Sequence, residues 1–135
     1  MPQKRLLRPQ RLRRVPAQFS WIDQRLVRER YTERCSAEAL ALYLVLVTVA
    51  DANGLSYYGA ASLMRLLSMP AARLREVRGE LIRLDLIAFE RPLYQVLSLD
   101  PPEAARVHGV QSLQPGVARL RARLRAERAD RQSLP

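Results

Sequence analysis

The chain has 135 residues, of which 48% are apolar, and it carries a formal net charge of +10. That length and composition suit one folded domain with a single hydrophobic core. Its one cysteine and one histidine exclude a disulfide within the chain and a zinc site built from those residue types, and its five glycines form neither a phosphate-binding loop nor a dinucleotide-binding fingerprint.

The positive charge is concentrated at the two ends of the chain. Residues 1–30 hold nine basic and two acidic side chains, residues 31–114 hold eight and nine, and residues 115–135 hold six and two. The net charges of the three parts are therefore +7, −1 and +4. This distribution indicates basic ends that attract nucleic acid and a nearly neutral domain between them. Arginine-rich codon usage and a merely solvated tail are alternative explanations, because 22 of the 23 basic residues are arginine.

Residues 1–18 are predicted to be a basic, partly disordered arm. They contain no acidic residue, and the prolines at positions 2, 9 and 16 prevent a stable helix. Such an arm can neutralise DNA phosphates or place arginine in the minor groove. Its candidate DNA-binding residues, which follow Lys4, are Arg5, Arg8, Arg11, Arg13 and Arg14.

Residues 19–100 are predicted to be the folded domain, and their first stretch contains the single tryptophan of the chain. We expect four apolar side chains of this stretch to pack onto the core: Phe19, Trp21, Ile22 and Leu26. The alternative is an aromatic platform on which the bases of a single-stranded nucleic acid stack. Such platforms usually interleave aromatic and basic residues in strands or loops, so core packing is the favoured interpretation.

A central buried helix is predicted after Ser36, which can cap its N-terminus. Residues 40–47 are apolar on every side, as in a helix enclosed by its domain. Because about 20 apolar residues are needed to span a membrane, we expect no membrane partner. The arm is not followed by an apolar signal segment, and we therefore expect a cytoplasmic protein.

A turn and a short strand are followed by two helices. Asn53-Gly54 predicts the turn, because both residues accept a positive φ, and residues 55–58 predict a short strand. Residues 61–67 predict a first helix and residues 71–84 predict a second helix. Ser68-Met69-Pro70 predicts a break between the two helices. In proteins with this order of helix, turn and helix, the second helix enters the DNA major groove.

The second helix has one apolar and one polar face. Apolar side chains recur at intervals of three and four residues, at Leu74, Val77, Leu81 and Leu84. With about 100° per residue, the opposite face, which would meet DNA, holds Ala72, Arg75, Glu76, Gly79 and Arg83. Glycine costs about 1 kcal/mol relative to alanine in a helix interior. Gly79 therefore indicates either a close approach of the backbone to another surface or a tolerated surface glycine.

The residues at the end of this helix carry a family resemblance. Leu84-Asp85-Leu86-Ile87 resembles the leucine, x, glycine, leucine, isoleucine sequence that ends this helix in many bacterial winged-helix regulators. Asp85 replaces the glycine, and aspartate accepts the left-handed conformation better than most residues. Two strands, residues 87–91 and 93–99, would follow as a hairpin with Pro92 at its tip. Arg91 is a candidate contact to a DNA groove or phosphate, or an exposed arginine without a role.

The C-terminal part is predicted to be a linker, residues 101–114, and a basic helix with a tail, residues 115–135. Apolar side chains recur at helical spacing at Val117, Leu120 and Leu124. This amphipathic helix could dock on the domain, pair with a second copy of the chain, or follow the DNA backbone. Binding to a membrane surface is the weakest of the alternatives, because the apolar face is sparse. We expect a homodimer through it.

The resemblance covers residues 36–99 and implies a winged helix-turn-helix, a mainly α fold with a small β-hairpin wing. It also implies that the strand at residues 55–58 pairs with the two later strands. It implies a protein that binds double-stranded DNA: a transcriptional regulator, or an initiator or accessory factor of a plasmid or mobile element. Replication-initiator winged helices are similar in the same layout, so the resemblance does not separate these roles. The alternative is a winged-helix module that binds another protein through its domain, while the tails contact nucleic acid non-specifically or bind an acidic surface. The nearly neutral charge of residues 31–114 is compatible with this alternative.

Catalysis finds little support in the sequence. Glu76 and Glu80 fall on adjacent turns of the second helix, but three arginines lie beside them: Arg75, Arg78 and Arg83. This arrangement predicts surface ion pairs and no metal site. We therefore expect no catalytic residues, no cofactor and no bound metal.

Overall fold

The computed structural model of the protein describes residues 3–100. Within them the chain forms four α-helices and three β-strands. The predicted linker at residues 101–114, the predicted helix with Val117, Leu120 and Leu124, and the homodimer expected through that helix lie outside the described residues.

Helices and strands follow one another in the order that the sequence predicts. They are α1 (Arg25–Arg28), α2 (Ala37–Val49), β1 (Leu55–Tyr57), α3 (Ala60–Leu67), α4 (Ala71–Arg83), β2 (Ile87–Glu90) and β3 (Leu93–Val96). The predicted ends of the elements from β1 to β3 differ from these by at most three residues. The sequence did not predict α1 or the two 3-10 turns Pro9–Arg11 and Tyr31–Glu33, because segments this short show no periodicity.

The described strands form one antiparallel sheet in the order β1-β3-β2. β2 and β3 are the hairpin, in which Glu90 lies opposite Leu93, and Arg91 and Pro92 form its tip as predicted. β1 pairs with the other edge of β3, where Tyr57 lies opposite Leu93. The prediction that β1 pairs with both later strands is wrong for β2, because β3 lies between them. A mainly helical chain with this hairpin wing is consistent with a winged-helix-like fold.

The core lies between α2, α4 and the sheet. The predicted apolar stripe of α4 is confirmed, since Leu74, Val77 and Leu81 are buried and Leu84 is half-buried against them. The side chains that complete the core come from the other elements and are Leu26, Ala39, Leu42, Tyr43, Leu46, Leu63, Met69, Leu86, Ile87 and Tyr94. α4 is therefore fixed in the domain by one continuous apolar face.

The prediction that α2 is enclosed on every side is wrong. Its buried residues are Ala39, Leu42, Tyr43 and Leu46, whereas Leu44 is 53% exposed. The reason is that α3, α4 and β3 pack against one side of α2. On the remaining surface of α2 Leu44 faces solvent, whereas Val45 and Val47 are partly buried.

Both helices of the helix-turn-helix end at a residue with positive φ, Ser68 at 52° and Asp85 at 58°. At the end of α4, the Leu86 N–H donates to the carbonyl of Leu81 and the Asp85 N–H donates to the carbonyl of Ile82, each at 3.0 Å. These two bonds make a Schellman motif. The left-handed conformation predicted for Asp85 is confirmed.

The turn before β1 requires glycine at only one of its two predicted positions. Gly54 has φ +81°, and a Cβ at that position would lie 2.7 Å from the carbonyl oxygen of Val96. Asn53 does not take a positive φ. Instead its N–H donates to the carboxylate of Asp51 at 2.8 Å, which closes the turn from the side chain.

The expected packing of the first aromatic stretch onto the core is wrong for three of its four residues. Leu26 is buried, but Phe19, Trp21 and Ile22 are exposed. The physical reason is the path of the chain over the outside of α2, where the Ser20 hydroxyl donates to the carbonyl of Thr48 at 3.2 Å, an exposed bond near the C-terminus of the helix. The neighbouring rings lie on this surface and do not enter the core, which other side chains fill.

Candidate nucleic-acid interface

The outward face of α4 is the surface that the sequence predicts to meet DNA. Ala72, Arg75, Glu76 and Arg83 are exposed and Gly79 is half-buried. The helix brings all five together on one face, as its 100° repeat requires. The candidate face predicted from the periodicity is therefore present as a surface, and its composition decides what it can bind.

One side of this face is tied to α2 by Arg73, which the sequence analysis did not single out. Its guanidinium lies 2.9 Å from a carboxylate oxygen of Glu38 and 2.9 Å from one of Glu76, and 3.9 Å from Glu80. One arginine thus offsets the charge of several carboxylates at the junction of α2 and α4. Glu76, a member of the candidate DNA face, is paired with Arg73 of its own helix and stays exposed to solvent.

Glu80 is more than the surface ion pair that the sequence predicts. Its two carboxylate oxygens accept hydrogen bonds from the backbone N–H of Ser36 at 2.7 Å and from the Ser36 hydroxyl at 2.8 Å. The Ser36 oxygen in turn accepts from the N–H of Ala39 at 3.1 Å, which confirms the predicted cap. In a capping box the glutamate comes from the same helix, whereas here α4 supplies it to α2.

The pKa of Glu80 is lowered from its ordinary value of 4.5, first because the Ser36 N–H donates to the charged carboxylate. Partial burial works in the opposite direction and raises it. The lowered pKa shows that the ionised carboxylate is the form that joins α4 to the start of α2. No signal in the sequence joins positions 36 and 80, because they are distant along the chain.

On its other side, α4 is joined to the wing through Arg78. Nη1 of Arg78 donates to the hydroxyl of Tyr94 at 3.0 Å, and the guanidinium carbon lies 4.2 Å from the centroid of the Phe89 ring. The Phe89 and Tyr94 rings contact each other with centroids 4.5 Å apart. Arg78 is therefore a cation–π contact that positions the hairpin against α4, and not a surface ion pair.

Arg75 and Arg83 differ from these two arginines. Across residues 3–100 neither side chain forms a hydrogen bond or a salt bridge, in contrast to Arg73 and Arg78, although the charge of Arg83 helps to lower the pKa of Glu80. Arg83 lies across the surface of Gly79, where a Cβ would be 3.2 Å from its Nη1 atom. Gly79 thus leaves room for the guanidinium of Arg83 within the helix's own surface.

The tip of the wing adds an arginine and an unpredicted tyrosine. Arg91 and Pro92 are exposed at the tip. Tyr57 at the end of β1 is 73% exposed, and the neighbouring Tyr58 N–H donates to the carbonyl of Pro92 at 3.3 Å. A phenol hydroxyl beside an arginine can contact a phosphate. The one signal for Tyr57 in the sequence was its place at the end of the strand predicted over residues 55–58.

The candidate residues of the arm are exposed throughout, including Arg5, Arg8, Arg11, Arg13 and Arg14. The arm enters the domain at Ser20, which is bonded to α2 near its C-terminus, whereas α4 is bonded to α2 at Ser36. With a rise of 1.5 Å per residue, these two anchors are about 18 Å apart along α2. An extended arm of this length reaches up to about 50 Å, so it can contact phosphates well away from α4.

Comparisons with known proteins give one likeness. No protein-family model matches the chain, and no curated protein sequence matches it. A solved structure described as "Structure of Rep-DNA complex" is similar over 74% of this chain and 89% of that chain, with a TM-score of 0.45 and 13% sequence identity.

Among the described residues, no helix is both long enough and apolar enough to cross a membrane.

Proposed function

We propose that this protein binds double-stranded DNA, with the outward face of α4 in the major groove and the basic arm on phosphates. The observation that carries the proposal is the division of the α4 arginines. Arg73 and Arg78 fix the helix to α2 and to the wing, and this leaves Arg75 and Arg83 exposed beside the small residues Ala72 and Gly79. Small residues let a helix backbone come close to a groove, and arginine donates two hydrogen bonds to guanine.

The two basic parts have different tasks in this proposal. Residues 31–114 have a net charge of −1, so α4 supplies sequence preference and little long-range attraction. The arm supplies attraction, because each phosphate that it neutralises adds about −0.9 to the slope of log affinity against log salt. The exposed Arg91 at the wing tip would contact the backbone beside the groove.

We propose a transcriptional regulator, or an initiator or accessory factor of a plasmid or mobile element, as the biological role. The chemistry is binding without catalysis, cofactor or metal. The features that support it are an anchored helix with a free polar face, a short hairpin beside it, and an exposed basic arm. All of these are shared by the regulator and the initiator, so only the bound DNA sequence and its genomic position would separate them.

A protein-interaction module is the second candidate. It is favoured by apolar side chains that the fold leaves outside, since Leu44 on α2, Leu66 on α3 and Ile82 on α4 are all exposed. Leu66 and Ile82 lie on the two helices of the helix-turn-helix itself. A protein partner would cover such residues, whereas a DNA groove gains little from them.

Selection of bound duplexes from a random pool at about 150 mM salt separates the two candidates. The full chain is compared with a variant in which Arg5, Arg8, Arg11, Arg13 and Arg14 are replaced by glutamine. A motif enriched by both proteins is the expected result and identifies α4 as the reader. Binding that enriches no motif and disappears in the arm variant would contradict the proposal and favour the protein-interaction module.

A further inference from the structure

The segment between the arm and α1 displays two aromatic rings to solvent. Phe19 is 66% exposed and Trp21 is 75% exposed. Ser20, between them, donates its hydroxyl to the carbonyl of Thr48 at 3.2 Å. The backbone is therefore anchored at the middle residue, while the ring on each side of it stays outside the domain.

Exposed aromatic rings at an anchored position indicate a binding surface. Aromatic side chains gain more from leaving water than most other residues, and the core of this domain is complete without these two. Single apolar residues at a surface are ordinary, but adjacent large ones mark contact sites. The next residue, Ile22, is exposed as well, so three large apolar side chains within four residues of the chain face solvent.

The charge around this patch selects its partner. The arm that precedes it carries Lys4 and five arginines and contains no acidic residue. The nearest acid that follows, Asp23, is paired with Arg25 at 2.7 Å, which lowers the pKa of Asp23 and offsets its charge. The surface therefore fits an anionic partner. A second copy of the chain would bring another arm of the same sign, and the two arms would repel each other.

We propose that Phe19 and Trp21 are a stacking platform for the bases of a single-stranded nucleic acid, with the arm arginines on its phosphates. Single strands expose the faces of their bases, and proteins bind them by combining a basic track with aromatic side chains. In a duplex the bases are stacked on each other and do not meet such rings. The rings are separate from α4. The arm arginines serve both proposals, so substitutions of the rings are what distinguish single-strand binding from the duplex binding proposed above.

Trp21 reports on this contact directly, because it is the single tryptophan of the chain. The full chain is titrated at about 150 mM salt with oligothymidylate and oligouridylate of about 16 nucleotides, and its fluorescence is recorded. Stacking of a base on the indole quenches the fluorescence at saturation. The DNA and RNA oligonucleotides show whether the platform distinguishes the two. Fluorescence that both oligonucleotides leave unchanged would overturn the proposal.

Four single-residue variants test the role of the rings. Binding of each variant is measured by the fluorescence anisotropy of a labelled single-stranded oligonucleotide. Phe19→Ala and Trp21→Ala should each weaken single-strand binding by about 5- to 150-fold, whereas Trp21→Phe should keep most of it. Leu7→Ala is the matched control, because Leu7 is apolar and 81% exposed in the same arm but has no ring. Equal losses in Leu7→Ala and the ring variants would refute stacking.

Sedimentation of the free protein tests whether the exposed rings instead bind a second copy of the chain. Self-association that Trp21→Ala abolishes would make the patch an interface between copies of this chain and would overturn the proposal. Duplex selection with the ring variants keeps the two proposals apart. A motif that remains enriched while single-strand binding is lost leaves the α4 assignment intact. Ring variants that lose the motif but keep single-strand binding would overturn the stacking proposal, because the rings would then act in duplex binding.

Discussion

The two basic regions of this protein use arginine in opposite ways. In α4, Arg73 and Arg78 are held by α2 and by the wing, and Arg75 and Arg83 alone remain available on its outward face. In the arm every basic side chain is exposed. The comparison teaches that the net charge of +10 describes neither region, because charges that are paired inside the fold attract a distant polyanion only weakly.

This difference separates specificity from affinity in the proposed DNA complex. A helix held on both sides presents a rigid face, which suits base contacts that need defined geometry. An arm without acidic residues suits phosphate contacts, which are tolerant of geometry and sensitive to salt. Each prediction below changes one region and leaves the other in place.

Removing the charge of the arm should have the largest effect. With five arginines replaced by glutamine, we expect the slope of log affinity against log salt to become less negative by about 4 to 5. Binding to all duplexes should weaken alike, and the preferred sequence should not change. Fluorescence anisotropy of a labelled duplex between about 50 and 200 mM salt measures the slope. An unchanged slope would show that the arm does not contact phosphates.

Truncation of the buried face of α4 should cost the domain its stability. Leu81→Ala removes a fully buried side chain, and we expect the free energy of unfolding to fall by about 2 to 5 kcal/mol. Ile82→Ala is the control, since Ile82 is next in the chain and exposed, and it should change stability far less. Urea denaturation measures both, and equal losses would mean that the orientation of α4 is wrong.

The free arginines of α4 should control sequence preference. Arg75→Ala and Arg83→Ala should each lower the preference for the selected motif by about 1 to 3 kcal/mol and leave the salt slope nearly unchanged. Arg28→Ala removes the same charge from the exposed surface of α1 and should leave the preference intact. Competition between motif and scrambled duplexes measures it. Sequence preference that survives both substitutions would show that α4 does not read the DNA sequence.

The contact between α2 and α4 should respond to pH. Glu80→Gln weakens charge-assisted hydrogen bonds to Ser36 and should lower stability by about 1 to 3 kcal/mol. Because the folded pKa of Glu80 is lowered from 4.5, its contribution is fully present above that ordinary value and is lost as the pH falls through the lowered one. Denaturation at several pH values should therefore show a smaller acid loss in Glu80→Gln than in the wild type. Parallel pH profiles would contradict this role.

The smallest predicted effect concerns the glycine under Arg83. Gly79→Ala should stabilise the helix by up to about 1 kcal/mol, because the group in its way is the flexible end of the Arg83 side chain. If the α4 backbone lies close to DNA, the same change should weaken binding to the motif. Increased stability with unchanged affinity would identify Gly79 as a tolerated surface glycine.

Local patterns were enough to predict most of the fold. The period of α4 predicted its buried face, the Asn53-Gly54 turn predicted where β1 begins, and Asp85 predicted a left-handed helix end. Each of these depends on interactions within a few residues. The candidate face of α4 followed from the same periodicity, because a helix with one buried stripe necessarily exposes the other side.

Tertiary packing decided which side chains remain exposed on the surfaces that could bind a partner. The hydrogen bond between Ser36 and Glu80 and the contact of Arg78 with Phe89 join residues that are far apart in the chain. The periodicity of the sequence therefore does not predict these contacts. Phe19 and Trp21 were expected in the core because of their hydrophobicity, yet their segment passes over the outside of α2, where Ser20 contacts Thr48, and both rings are exposed. The sequence by itself determined the elements and their buried faces, since those depend on short-range periodicity. Only the tertiary structure decided which arginines and which rings remain free to bind, since that depends on partners brought together by folding.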